Sequence, residues 1–313
     1  MATMKAVRVH GFGGPDRLAY EDAPRPEPKA GEVLVKVEAA GVNPVDWLIG
    51  SGKMEAQVPH TLPLTLGWDV AGTVEALGAG VTSPAVGASI FAFADIRRDG
   101  AYAEFAVAAA ATVAPKPASL DWLAAASVPL AATTAWQALF EQAALAAGQT
   151  ILIHGAGGAV GSFAVQFAKV KGARVIATAT GDDVDYVGGI GADVVVDYKT
   201  EKFEDAAKNV DAVLDTISGE TQARSWQTLR DGGTLVATLP GAEPPPEAAA
   251  RGVQGKSFSA HPDGAALAEI GGLIDAGRVK TRVGVTLPLS EARAAQEQAQ
   301  GGHTRGKIVL KVA

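Results

Sequence analysis

Cysteine is absent from the 313 residues, which removes disulfide frameworks, thiolate nucleophiles and cysteine-held zinc. Basic blocks are absent too: 27 Lys and Arg are scattered among 34 Asp and Glu for a net charge of -7. Such a balance offers no electrostatic footprint to a nucleic acid or an anionic membrane. The longest apolar stretches, near 106–114 and 123–135, are interrupted and too short to span a bilayer. The first ten residues contain no apolar signal core. These absences lead us to expect a cytoplasmic protein that binds a small molecule and has neither a nucleic-acid nor a membrane partner.

The chain is 48% hydrophobic, enough for a sizeable core, and its length points to two domains. In its first third, short alternating runs such as 32–39 and 72–76 lie between Gly- and Pro-rich turns, the pattern of an irregular β-rich domain. From about Ser127 the rhythm changes. A strand at 150–154, a glycine turn, a helix to about Val170 and a strand at 174–178 read as one parallel βαβ unit. Further strands at 193–197, 211–214, 234–238 and 257–260 would complete a six-stranded, doubly wound parallel sheet. The Pro-rich stretch 243–251 reads as a surface loop. Leu267, Ile270, Leu273 and Ile274 then share a helix face that stops at Gly277, and a last strand runs over 307–312. That tail is expected to rejoin the first domain.

The turn after the strand reads Gly155-Ala156-Gly157-Gly158-Ala159-Val160-Gly161. Glycines allow a pyrophosphate to approach the backbone, and the following helix offers it amide donors and the positive end of its dipole. An ordinary ligand-free βα turn would look similar, and Ala156 breaks the strict G-x-G-x-x-G phase. The surrounding α/β repeat favours the dinucleotide reading. Where NADH-binding folds place an acidic residue to meet the adenosine ribose, this chain has Thr178-Ala179-Thr180-Gly181. NADPH is therefore the expected cofactor. No Lys or Arg stands in that turn, however, and Asp182 and Asp183 follow it. A 2'-phosphate would lean on the Thr180 hydroxyl, on backbone amides, and on Tyr198 and Lys199 at the end of the third strand.

Four segments carry a family resemblance: Ala40-Gly41-Val42-Asn43-Pro44-Val45-Asp46, Gly67-Trp68-Asp69-Val70-Ala71-Gly72, the glycine turn, and Gly306-Lys307-Ile308-Val309-Leu310. Together they resemble the zinc-independent quinone oxidoreductase (zeta-crystallin-like) branch of the medium-chain dehydrogenase/reductase superfamily, over essentially the whole chain. The resemblance implies an α/β chain with a GroES-like β-rich catalytic domain at 1–126 and 265–313. A Rossmann dinucleotide-binding domain would fill 127–264, with an active-site cleft where the two meet. It implies NADPH (NADP+) and no zinc, because Asn43 or Val42, and Trp68, stand where zinc-dependent members hold the metal through cysteine and histidine. It also implies a homodimer paired through the last Rossmann strand.

By the same resemblance the phosphates would lie on Gly155, Gly157, Gly158, Ala159, Val160 and Gly161, and the adenosine ribose near Thr178, Thr180 and Tyr198. The nicotinamide would be lined by Asn43, Thr134, Leu239, Pro240, Phe258, Ser259 and Ala260, with Thr216 also among the cofactor-binding residues and Lys307 in reach of the cofactor. Asn43 and Asp46 are the candidate catalytic residues. Each has a plainer reading: Asn43 organising its own Asn-Pro turn, and Asp46 capping a short helix that begins near Trp47. The residues after Asp46 lack the tyrosine that quinone oxidoreductases often place there, which leaves an enone as well as a quinone open as substrate. Tyr198 and Lys202 form a Y-x-x-x-K pair in the wrong place for the short-chain dehydrogenase chemistry. His60, Asp69 and Asp46 match no metal-ligand spacing. Hydride transfer to the C=C bond of an α,β-unsaturated carbonyl or to a quinone is the leading expectation. The competing one is an NADPH-binding protein with a structural or regulatory role and little turnover.

Overall fold

The computed structural model describes residues 2–302 and 304–313. It divides into two compact units, Met1–Thr133 with His261–Gly277 and Thr281–Ala313 in one, and Thr134–Ala260 with Arg278–Lys280 in the other. The division falls between Thr133 and Thr134, inside the helix Pro129–Trp136, and between Ala260 and His261, where the sequence led us to expect 126/127 and 264/265. Arg278–Lys280 joins the second unit through Gln166, whose side chain accepts from Lys280 N at 2.7 Å and donates to Lys280 O at 2.9 Å.

The first unit is a β structure. Its larger sheet runs in the order Val283–Pro288, Lys307–Lys311, Glu32–Gly41, Asp69–Leu77, Ser89–Phe93, Val113–Pro115, and Phe105–Ala109 also pairs with Glu32–Gly41. A small sheet joins Thr3–Val9 to Leu18–Pro24 and Leu64–Thr65. Val33, Val35, Val37 and Ala39 are buried along the central strand, the alternation legible in sequence. The helix Gly264–Asp275 starts where the Asp263 carboxylate accepts from Ala265 N and Ala266 N at 2.9 and 3.0 Å, and it buries Leu267, Ile270 and Ile274. The strand Val283–Pro288 and the helix Ala292–Gln300 were not expected from sequence.

The second unit holds six parallel strands, ordered Val194–Asp197, Arg174–Ala179, Thr150–Ile153, Val210–Asp215, Leu229–Ala237, Gln254–Ser257. This is the 3-2-1-4-5-6 order of dinucleotide-binding sheets. Ile151, Leu152 and Ile153 are wholly buried, and the helix Ala159–Lys171 covers them with Phe163, Ala164, Phe167 and Ala168. That helix ends on Gly172 at φ 86°, a left-handed cap that glycine adopts without strain. The sixth strand begins three residues before the expected 257–260. Gly255 lies so close beneath Ala242 and Trp226 that no side chain would fit, and pairing with the fifth strand ends at Ala237 and Ser257. Within 243–251, Pro246–Ala249 forms a short helix with proline in its first turn, so the stretch is not loop throughout.

Candidate active site

In the second unit the glycine turn leaves the first strand with Gly155 at φ 69°. A side chain at Gly155 would run into the Thr216 hydroxyl, and one on Gly161 would overlap the Gly155 carbonyl and stand 2.7 Å from Ala156 Cα. Helix Ala159–Lys171 thus packs directly on the turn, with its first-turn amides and positive dipole end at the bend. Backbone of this shape, kept clear of Cβ atoms, suits a pyrophosphate.

His154 holds the turn from beneath. It is fully buried, with Nε2 2.9 Å from Ser225 Oγ and Nδ1 3.1 Å from Thr178 Oγ1. Ser225 donates its own proton to Thr221 O at 2.6 Å, so Nε2 carries the imidazole proton and Nδ1 accepts from Thr178. Burial lowers the His154 pKa to about 4, against the raising effect of Asp215 and Glu204, and the ring is neutral at pH 7. Thr216 closes the other side by donating to His154 O at 2.9 Å.

The expected cofactor residues of this unit, Thr134 apart, lie at the strand ends. Thr178 is 3% exposed with its hydroxyl on His154, so that hydroxyl is not presented to a ribose. Thr180 donates to Asp197 Oδ1 at 3.0 Å, and Tyr198 beside it is 55% exposed. Leu239 and Pro240 are exposed, Phe258 and Ala260 half-buried, and Ser259 exposed. Thr134 is buried in the helix Pro129–Trp136.

In the first unit three neighbouring strands end together: Gly41 pairs with Val309 on one side and Asp69 on the other. That register gathers Asn43, Asp69 and Lys307. The Lys307 ammonium lies 2.9 Å from Asp69 Oδ2 and donates to Asn43 Oδ1, and Asn43 Nδ2 donates to Asp69 Oδ2 at 2.8 Å. Leu130 N donates to Asp69 Oδ1 at 2.6 Å. All three side chains are at most 5% exposed. Lys307 is thus placed on this cluster rather than extended from its strand. Asn43 precedes the helix Pro44–Gly50 and stands at its N-cap, with Asp46 inside the first turn; the helix does not begin near Trp47. Asp46 Oδ2 accepts from Asn43 N and from the Tyr102 hydroxyl, both at 2.7 Å, and its Oδ1 is buried without a partner. Burial raises the Asp46 pKa to about 7, against the lowering effect of Tyr102, Asn43 and Lys307. Burial first, and then Asp46, push the Tyr102 phenol well above its usual range. Asp69 and Tyr102 went unassigned in the sequence. The available signal was a charge on an otherwise apolar strand start, which requires a buried partner such as Lys307.

Two family profiles match the chain, "Alcohol dehydrogenase GroES-like domain" over residues 29–118 and "Zinc-binding dehydrogenase" over residues 190–310. The mouse quinone oxidoreductase is 33% identical over 330 residues, covering 98% of this chain and 97% of that protein. The chain belongs to the quinone oxidoreductase branch of the medium-chain dehydrogenase/reductase superfamily. An Arabidopsis thaliana relative, a chloroplastic NADPH-dependent alkenal/one oxidoreductase, is 34% identical over 98% of this chain and 79% of its own length. A mycobacterial structure solved in complex with NADPH is 32% identical with a TM-score of 0.86, covering 99% of this chain and all of that one. The Trp68 indole donates to Arg98 O at 3.0 Å, and the Asn43 side chain is held by Asp69 and Lys307. No described helix is long and apolar enough to cross a membrane.

Proposed function

We propose that the chain reduces the C=C bond of an α,β-unsaturated carbonyl compound, or a quinone, with hydride from a nicotinamide dinucleotide, without a metal. The observation that carries this reading is the glycine turn. Its glycine-rich backbone follows the first strand of a 3-2-1-4-5-6 sheet, in a branch whose related proteins are named for quinone and alkenal reduction and include one bound to NADPH.

Bound there, the dinucleotide supplies the hydride. The residues that would hold its phosphates are Gly155, Gly157, Gly158, Ala159, Val160 and Gly161, through backbone amides and the helix dipole. Thr216, Leu239, Pro240 and the run Phe258, Ser259 and Ala260 are the strand-end positions for the nicotinamide half, with Thr134. NADPH is the cofactor carried over from the relatives. Asn43 acts as a positioning residue, since its amide is fixed by Asp69 and Lys307 and its backbone by Asp46. Asp46 and Lys307 complete that rigid cluster. A homodimer fits the outer position of strand Gln254–Ser257, whose free edge is open to strand pairing. A cytoplasmic setting, where a reduced dinucleotide pool is at hand, belongs to the same reading.

The test is loss of 340 nm absorbance with NADPH or NADH against a panel of small enones and quinones. Turnover on enones supports double-bond reduction, and turnover on quinones alone supports the quinone branch of the reading. Tight dinucleotide binding with no turnover on any member of the panel would replace both with a binding role.

A further inference from the structure

The fourth strand of the parallel sheet, Val210–Asp215, runs into a strained turn. Ser218 has φ 71° and ψ -170°, a region of backbone space that belongs almost entirely to glycine. A residue with a side chain stays there only when its surroundings hold it. Here the holding group is the Asp215 carboxylate, which is 1% exposed. Its Oδ1 accepts from Ile217 N at 2.9 Å and from Ser218 N at 3.0 Å, and its Oδ2 accepts from the Gln222 amide at 3.0 Å.

What this clamp sets in place is Ile217. Thr216 ties the strained turn to the glycine turn by donating to His154 O at 2.9 Å, and Ile217 Cδ1 would be 3.1 Å from a methyl group added to Gly155. Yet Ile217 is 52% exposed, a large apolar side chain standing in solvent beside the backbone that would take the phosphates. A ligand seated on that backbone would cover it, removing apolar surface from water.

We propose that Asp215 is a positioning residue for the dinucleotide: by holding Ser218 in its strained conformation it keeps Ile217 against the glycine turn as an apolar contact for the bound ligand. The inference rests on the reading that the glycine turn takes a nicotinamide dinucleotide, and it names the group that shapes that site in advance. Without the carboxylate, Ser218 falls into an ordinary backbone well, the peptide between Ile217 and Ser218 turns with it, and Ile217 leaves Gly155. Affinity then drops in proportion to the fraction of molecules that keep the competent turn. Ser218→Gly removes the strain, so in that background the turn should keep its shape with or without the clamp.

The experiment titrates NADPH, and NADH in parallel, by nucleotide fluorescence against the wild type, Asp215→Ala, Asp215→Asn, Ser218→Gly and the double variant Asp215→Ala/Ser218→Gly, with a urea midpoint for each. Asp215→Ala should weaken binding about tenfold in the wild-type background, the order that backbone strain of this kind sets on a conformational equilibrium, and less than about threefold in the Ser218→Gly background. Asp215→Asn keeps an acceptor for the two amides and should restore most of the lost affinity. Ser218→Gly should raise the urea midpoint. A merely structural Asp215 would lower the midpoint and leave affinity alone, or lower affinity by the same factor in both backgrounds, and either result overturns the proposal. So does a midpoint that Ser218→Gly fails to raise. A wild type that binds neither dinucleotide overturns the reading of the glycine turn together with this one, whereas a wild type that binds while the two substitutions act independently overturns this one alone.

Discussion

In the β-rich unit three strand ends and the first turn of a helix gather two buried carboxyls, an asparagine and a lysine into one cluster, whereas the strand ends of the parallel-sheet unit carry glycines, hydroxyls, Asp197, Asp215 and a neutral imidazole. The first arrangement is charged and closed: Asn43, Asp46, Asp69 and Lys307 bond one another, and none is more than 5% exposed. The second leaves its backbone open at the glycine turn, buries the Asp215 carboxyl against Ile217 N, Ser218 N and the Gln222 amide, and keeps the His154 imidazole uncharged. Burial has the same physical cost in both, since it disfavours the charged form. It raises a carboxyl in one unit and lowers an imidazole in the other. The two units are therefore expected to respond to pH from opposite sides.

The comparison breaks most sharply at Lys307. Replacing it by methionine keeps most of the apolar stem but leaves the Asp69 carboxylate buried with only the amide donors of Asn43 and Leu130. Removing one partner of a buried pair costs about 3–5 kcal/mol. Urea denaturation of Lys307→Met should show a loss of that order; a loss under about 1 kcal/mol would mean that the cluster is solvated or dispensable. Asn43 would lose its orientation with it, so kcat should fall together with stability.

Asp46 tests the pH side of the same unit. Its carboxyl binds a proton more tightly folded than unfolded. Its contribution is therefore fully present below the unfolded value near 3.8 and declines as pH rises through about 7. The shift corresponds to about 4 kcal/mol between those limits. Asp46→Asn retains an acceptor for Asn43 N and Tyr102 and cannot ionise, so the difference between variant and wild-type stability should shift in the variant's favour by about 4 kcal/mol between pH 3.8 and 7. Parallel pH curves for the two proteins would refute the assignment.

What the sequence disclosed follows the same division. The parallel sheet was legible to within a few residues because its strands are continuous apolar runs and its turn is marked by glycines that geometry requires at 155 and 161. Its sixth strand was displaced because Gly255 fits beneath Trp226, a packing relation no local pattern encodes. The buried cluster was half legible. Asn43 and Asp46 stand in one motif, but their partners lie at positions 69, 102 and 307, brought together by register between strands remote in the chain. Thr178 and Thr180 looked like equivalent ribose hydroxyls in sequence; only the fold shows that one faces His154 and the other Asp197.

The smallest expected effect, and the one that completes the contrast, is at His154. Its folded pKa of about 4 lies below the unfolded value near 6.5, so the folded state binds fewer protons. Stability is whole above about pH 6.5, declines as pH falls toward 4 and levels off below, a span of about 3 kcal/mol. Glutamine at 154 cannot be protonated in that range and can still donate toward Ser225. The drop in stability from pH 7 to pH 4 should therefore be about 3 kcal/mol smaller in His154→Gln than in the wild type, whatever the variant loses at pH 7 through poorer packing against Phe203. Because the ring also orients the turn through Thr178 and its own carbonyl, dinucleotide affinity of the wild type should weaken as pH falls through about 4, where the folded ring takes up its proton, while that of His154→Gln stays level. If both proteins lose affinity in parallel, the acid sensitivity belongs to other groups and the imidazole is only a spacer beneath the turn.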